Sequence, residues 1–484
     1  MTVLDKLEDE YIEQLILNQN DVLDKTQQDL FSYEDYQKML EPALSIIKNN
    51  PDLTIDELRE KIYESSGLED SIRDFIIKRK LAPSMSISYG TKNFVETVSV
   101  GDVSGNATTE DTIYDVASVT KLFTSMSVLK LSASGVLDLN KDVTYYLPEF
   151  EKLKGVTLLQ LLTFQAPLRT EKRLDEAGID YDEAYDRLKN VYINEDYKIT
   201  DNPYTDMGAI ILKEVVCRVT GKSFFSCFKE NIIDKANMSD THIIVPETKL
   251  DRVASTDNNI TYVNGEFKFR NVNTGELNDV KGRILGQNVN DVGGNAGIFT
   301  SSNDMANLAI ALMKYDILSK KQLEGMSENR TGMFINEVNR YRQYFGQLCY
   351  SKNPNLPDSE VDHPLSGKSL AMGGWTGCQF TLDPVNDVFF FMGSNRVHDR
   401  VVSLPKVARE TNGDRIYNDN DGAEMVKING NSYVNSSRFA WDRSDAIVNP
   451  ALRLSLSYSF LEYVMKGYQS VNDSQLSGKK LRRL

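Results

Sequence analysis

Ser118 and Lys121 stand three residues apart in Ser118-Val-Thr-Lys121. On a helix that spacing puts both side chains on one face, one turn apart. A serine hydroxyl is a poor nucleophile at neutral pH and needs a base within hydrogen-bond reach. A lysine serves once burial and the field of a helix N-terminus disfavour its ammonium form. The S-x-x-K pattern is a signature of such sites. Taken alone it also fits a helix N-cap serine beside a solvated lysine.

The elements that must position this pair can be read around it. Residues 118–135 carry a helical apolar pattern (Leu122, Phe123, Met126, Leu129), with Gly135 at the expected C-cap. Before it, Ser84–Tyr89 and Phe94–Gly101 alternate with period two and read as a strand pair. A second helix is expected from about Asp206 to Thr220, stopped by Gly221, and another over 302–315. Residues 250–290 look irregular, with a hairpin signal at Asn264-Gly265. Residues 378–383 and 387–393 read as two buried strands, and a last helix is expected near 450–467. Residues 1–70 repeat apolar positions at helical spacing and read as two to four helices, a separate appendage.

Composition narrows the function. The chain has 484 residues, 40 % apolar and 26 % charged, which fits a folded protein of more than one unit. Its net charge of −15 repels nucleic acid and anionic lipid, so neither is an expected partner. No apolar run is long enough to span a membrane. The N-terminus lacks a basic and apolar leader pattern, so a cytoplasmic location is expected, or a secreted one if a leader has been clipped. The cysteines, Cys217, Cys227, Cys349 and Cys378, form no C-x-x-C pair and read as reduced thiols. His242, His363 and His398 are scattered, so no metal and no cofactor are expected. Glycine–lysine–serine runs at 221–223 and 367–369 lack the upstream glycine of a phosphate loop. No G-x-S-x-G occurs, which disfavours an α/β-hydrolase elbow.

The residues around Ser118 carry further information. DVASVTKLFTSMSVLKLSASGVLDLNKDVTYYLPEF, VTLLQLLTF, PYTDMGAIILKEVVCRVTGKSF, GGNAGIFTSSNDMANLAIAL, GGWTGCQFTLDP and GSNRVH follow one another over roughly residues 80–400. In that order they resemble the class C β-lactamase-like family, with its penicillin-binding proteins and family VIII esterases. The resemblance implies an α+β fold: a central antiparallel sheet flanked by helices, plus an all-helical lobe, here with an extra N-terminal helical segment. Residues 1–70 would be that extension. Residues 71–150 and 280–484 would form the mixed lobe, with 403–445 inserted, and 151–279 the helical lobe.

The resemblance also assigns roles. Ser118 would be the nucleophile and Lys121 its activating partner. The family's second motif, Tyr-x-Asn, falls on Tyr204-Thr205-Asp206, so Tyr204 would share proton transfer with Lys121; a buried tyrosine capping the next helix is the plainer reading. Asp206 departs from the pattern, since a carboxylate cannot donate a hydrogen bond to a substrate oxygen. It would raise the Lys121 pKa, favour a cationic or ester substrate, or serve as a helix N-cap. The third motif, Lys- or His-Thr-Gly, falls on Trp375-Thr376-Gly377. It replaces a cation with an indole that either closes the pocket or touches substrate. The backbone N–H groups of Ser118 and Cys378 would form the oxyanion hole. Asp206, Trp375, Thr376 and Gly377 are thus the expected substrate-binding residues.

The expected activity is acyl transfer from a small-molecule ester or amide through an acyl-enzyme, with weak β-lactamase action. The alternative is a catalytically degenerate protein of the same fold with a binding or regulatory role. Residues 1–70 would form a lid, an interaction surface or a homo-oligomer contact.

Overall fold

The structure, a computed structural model, describes residues 2–20, 31–197, 202–331, 344–353, 360–404 and 416–475. The chain opens with α1 (Val3–Asn20), α2 (Tyr33–Asn49), α3 (Ile55–Ser66) and α4 (Leu68–Arg73). Capping boxes start α2 (Ser32 with Asp35) and α3 (Thr54 with Glu57), each pair satisfying otherwise free N–H groups. Strands β1 (Ser84–Gly90), β2 (Val95–Val103), β3 (Asn106–Ala107) and β4 (Ile113–Asp115) follow, then α5 (Thr120–Ala133). A mainly helical stretch comes next: α6 (Val143–Tyr146), α7 (Leu158–Leu162), α8 (Tyr181–Lys189), α9 (Met207–Thr220) and α10 (Phe224–Phe228). Within it, β5 (Leu168–Arg169) pairs with β6 (Tyr192–Ile193). The hairpin β7 (Asn259–Val263) and β8 (Glu266–Arg270) precedes α11 (Val280–Leu285), β9 (Phe299–Ser301), α12 (Ser302–Met313) and α13 (Lys320–Met326). The remaining strands are β10 (Tyr350–Ser351), β11 (Leu370–Gly373), β12 (Gln379–Asp383), β13 (Val388–Ser394), β14 (Arg400–Ser403), β15 (Ile416–Asn418), β16 (Glu424–Ile428) and β17 (Asn431–Asn435). Helices α14 (Phe439–Arg443) and α15 (Asn449–Gln475) end the described chain.

Seven strands pair antiparallel in the order β10-β11-β12-β13-β1-β2-β3. The run Val388-Phe-Phe-Phe-Met392 lies in the middle and is buried along its whole length. Period-two alternation sends Phe389 and Phe391 to one face and Phe390 and Met392 to the other. The first face packs with α5, α9 and α12, and the second with α15 and the N-terminal helices. A sheet covered on both faces needs a continuous apolar run, and that is the signal the sequence carried here.

Two expectations change. The N-terminal helices are not an appendage. Leu7, Ile12 and Leu15 of α1, Tyr36, Leu40 and Leu44 of α2, and Leu58 and Ile62 of α3 share one core with Leu456, Phe460 and Leu461 of α15 and with Ile87 and Met392. The Tyr36 hydroxyl donates to the Pro364 carbonyl at 2.8 Å, tying α2 to the far end of the chain. Helical spacing showed that α1–α3 bury one face, but not against what.

The second change concerns β7 and β8, expected in the helical lobe, and 403–445, expected as an insertion. They form one sheet, ordered β15-β16-β17-β14-β7-β8, with β14 parallel to both β17 and β7. Residues 405–415 of the expected insertion lie outside the described residues. The β7–β8 turn uses Asn264 (φ 51°) and Gly265 (φ 87°), the left-handed pair that a two-residue hairpin demands. Among the described residues no helix is long and apolar enough to cross a membrane.

Candidate active site

The chain leaves β4 at Asp115 and turns sharply into α5 through residues 117–119, with Ala117 in the left-handed region at φ 46°. A non-glycine residue there costs about 1–2 kcal/mol and needs fixing from outside. The buried Asp115 carboxylate supplies it, accepting the Ala117 N–H and the Asn278 N–H at 2.8 Å each. Burial pushes this carboxyl up to about 6, against the pull of those two donors. The turn presents Ser118 just before the first residue of α5 and leaves Lys121 inside the helix, fully buried.

Ser118 Oγ accepts from Lys121 Nζ at 2.9 Å and from the Tyr204 hydroxyl at 2.9 Å. Tyr204 lies just before α9, stacked on Phe164 at 5.3 Å between ring centroids. Lys121 Nζ also donates to Asp206 Oδ1 at 2.7 Å and to the Asn295 carbonyl at 3.1 Å, and sits 4.9 Å from the Tyr204 ring centroid. Lys281 reaches the other Asp206 oxygen at 3.1 Å and Asp279 at 3.4 Å. The Asp206 side chain makes no cap bond to α9, so the N-cap reading is set aside in favour of a bridge between two ammonium groups.

Burial drives the Lys121 ammonium below the ordinary lysine value, while Asp206 works to raise it. The expected upward effect of Asp206 is therefore present but outweighed. Burial also opposes charge on Asp206, yet Lys121 and Lys281 overcome this and hold the carboxylate well below its usual range. Tyr204 is raised well above an ordinary phenol, first by burial and then by the Asp206 charge. The phenol thus stays protonated, and the lysine is the group whose proton is loosened.

The turn between β11 and β12 carries Trp375, Thr376 and Gly377. Gly374 N–H donates to the Cys378 carbonyl at 2.7 Å and Gly377 N–H to the Gly374 carbonyl at 3.0 Å; the Cys378 N–H takes part in neither bond. A Cβ on Gly374 would lie 2.4 Å from the Val116 carbonyl oxygen, so only glycine lets this turn rest on the Ser118 loop. Thr376 is buried and donates to the Asp115 carbonyl at 2.6 Å, which turns it away from the cleft. Gly377 lies behind Trp375, against the Arg396 side chain. Burial pushes the Cys378 thiol up to about 12, so its side chain is no nucleophile at neutral pH. Trp375 stays 45 % exposed, with the Arg396 guanidinium 4.9 Å from its ring centroid.

Ser118 and Trp375 line a cleft of about 160 Å³ with Thr261, Arg270, Asp279 and Lys281. The structure therefore brings Ser118, Lys121, Tyr204, Asp206 and Trp375 together and leaves Thr376 and Gly377 as supports behind them. Sequence reasoning missed Lys281, Asn295 and Arg270. Asp279 caps α11 by accepting the Gly282 N–H at 2.7 Å, a local signal for a helix start; nothing local ties Lys281 to Asp206. Among the described residues no cluster of His, Cys, Asp and Glu side chains could hold a metal ion.

Known proteins resemble this chain in sequence or in fold. An N-acetylmuramyl-L-alanine amidase of Bacillus subtilis is 23 % identical over 342 residues, covering 66 % of this chain and 75 % of the amidase. A mutant simvastatin synthase of Aspergillus terreus superposes with a TM-score of 0.52 at 16 % identity, over 83 % of this chain and 97 % of the synthase. A hydrolase with promiscuous acyltransferase activity gives a TM-score of 0.53 at 17 % identity, over 69 % of this chain and 94 % of the hydrolase. Both structural likenesses are likenesses of fold. The beta-lactamase family profile matches residues 76–412, a span that takes in Ser118, Lys121, Tyr204 and Trp375, and by that match this chain belongs to the beta-lactamase family of serine hydrolases.

Proposed function

We propose that the chain transfers the acyl group of an ester or amide with no carboxylate beside the scissile bond through an acyl-enzyme on Ser118, to water or to an acceptor nucleophile. The observation that carries this reading is Ser118 Oγ lying 2.9 Å from both Lys121 Nζ and the Tyr204 hydroxyl. As Ser118 attacks the carbonyl, its proton passes to neutral Lys121. The Ser118 and Cys378 N–H groups receive the developing oxyanion. Tyr204, a phenol throughout most of the pH range, gives its proton to the leaving group and regains one from Lys121. Deacylation runs the same transfers with water or an acceptor in place of the leaving group.

Substrate charge follows from the cleft. Asp206 is paired with Lys281 as well as with Lys121, so it repels anions less than a lone carboxylate would. Trp375 supplies no cation for a carboxylate next to the scissile bond, and Arg270 in the cleft wall already donates to the Asn278 carbonyl at 3.1 Å. p-Nitrophenyl butyrate should therefore be turned over at least tenfold more efficiently than nitrocefin. Faster nitrocefin hydrolysis would overturn the preference for substrates without a carboxylate beside the scissile bond.

The tight Lys121–Asp206 contact at 2.7 Å favours the ammonium and supports a second reading, a degenerate binding protein. Intact-mass measurement after exposure to a fluorophosphonate separates the two. Stoichiometric labelling, lost in Ser118→Ala, is expected for the enzyme. An unlabelled, folded wild type would favour the binding protein.

A further inference from the structure

Trp375 also forms the wall of a second groove, about 550 Å³, bounded by Arg396, Val402, Leu404 and Trp441. Arg396 is 6 % exposed. Its Nε donates to the Trp375 carbonyl at 3.0 Å, and its guanidinium lies between the Trp375 and Phe439 rings, 4.9 and 5.5 Å from their centroids. Among the described residues it has no carboxylate partner. Its neighbours are different: Arg443 pairs with Glu360 at 3.0 Å, and Arg438 at the rim pairs with Asp442 at 3.2 Å. Burial, with Arg443 adding like charge, draws Arg396 below the ordinary guanidinium value. A buried cation without a counter-ion is costly and is usually paired. Among the described residues nothing supplies that partner, and the groove that Arg396 lines is open to one.

We propose that this groove is a subsite for an amphiphilic monoanion, an aromatic or aliphatic chain ending in a carboxylate. Trp375, Trp441, Val402 and Leu404 would cover the chain, and Arg396 would receive the carboxylate. One uncompensated guanidinium matches one negative charge, and burying a dianion there would leave excess charge unpaired. Because Trp375 borders both this groove and the Ser118 cleft, a substrate reacting at Ser118 could carry its carboxylate beyond the indole, remote from the scissile bond. That last step rests on the acyl-transfer reading, whereas the binding itself does not.

The chain contains two tryptophans, Trp375 and Trp441, and both face this groove, so intrinsic fluorescence reports its occupancy directly. The Ser118→Ala protein is titrated with 4-phenylbutyrate, with the neutral 4-phenylbutanamide and with phenylphosphonate. Saturable quenching is expected, with the carboxylate binding at least tenfold more tightly than the other two. Arg396→Gln should erase the difference. Since that substitution touches the core, Ser403→Asp is measured alongside: it keeps the guanidinium and places a negative charge on the wall of the same groove. It too should abolish the carboxylate preference. Equal affinities in the parent protein, or a preference unchanged in Ser403→Asp, would overturn the subsite. The wild type is then assayed on mono-p-nitrophenyl adipate and p-nitrophenyl hexanoate, with the anionic ester expected to have the lower KM. Carboxylate-selective binding without hydrolysis of either ester would leave the subsite standing and remove the acyl-transfer reading. Hydrolysis of hexanoate without selective binding would do the reverse.

Discussion

Burial disfavours the Lys121 ammonium, and the Asp206 carboxylate stabilises it; the net shift is downward. On the acyl-transfer reading Lys121 is neutral when it accepts the Ser118 proton, so activity should rise with pH along a limb lying below the ordinary lysine value of about 10.4. Asp206→Asn removes the upward pull. The limb should then move to lower pH by roughly one unit or more, and kcat/KM at neutral pH should increase. Lys281 keeps Asp279 as a partner at 3.4 Å, so the substitution does not strand it. The check is a pH profile of p-nitrophenyl butyrate hydrolysis for both proteins; an unmoved limb would mean that Lys121 is not the titrating base. Lys121→Ala should be nearly as damaging as Ser118→Ala, because residues acting as one unit are not additive.

At the scale of elements, the site is the meeting of two turns. One carries Ser118 between β4 and α5, the other carries Trp375 between β11 and β12, and Gly374 is where their backbones touch. Gly374→Ala puts a methyl group 2.4 Å from the Val116 carbonyl and must push the turns apart. The expected cost is about 1–3 kcal/mol of stability, with kcat falling more than KM rises, since the reacting groups shift while the cleft remains. A thermal melt with steady-state kinetics tests this; unchanged kcat in the destabilised protein would show that the contact supports the fold and does not position Ser118. Apolar periodicity placed α5, α9, β12 and β13 within a residue or two. It could not place the contact between the turns, because a glycine reads as a turn whether or not another backbone rests on it.

Across the whole molecule, the N-terminal helices and α15 close one face of the main sheet. Truncating the chain before Asp74 would strip the apolar partners of Leu456, Phe460 and Leu461. Each leucine-sized side chain so exposed loses about 1.5–3 kcal/mol, and several together exceed the stability of an ordinary domain. The truncated protein should be insoluble, or soluble only as a dye-binding, loosely packed state. A soluble truncation melting cooperatively near the full chain would restore the appendage that the sequence suggests. A milder test is Leu40→Ala, expected to cost about 2–5 kcal/mol from its fully buried position while leaving the KM for a short ester unchanged.

The sequence by itself determined the elements and the chemical candidates. Local periodicity and capping depend on neighbouring residues, and Ser118 and Lys121 share one helical start, so their contact is written in a spacing of three. Tyr204 and Trp375 became legible through the order of motifs along the chain. Tertiary structure alone decided the rest. The Lys281–Asp206–Lys121 bridge, the Asp115 link between Ala117 and Asn278, and the sheet joining 259–270 to 400–435 all bring distant segments together. Charge and hydrogen-bonding capacity are visible in a residue's type, but their effect depends on which partners are within a few ångströms and how much water is excluded. For Asp206 that difference replaced a helix cap or a contact for a cationic substrate with a carboxylate held between two lysine side chains.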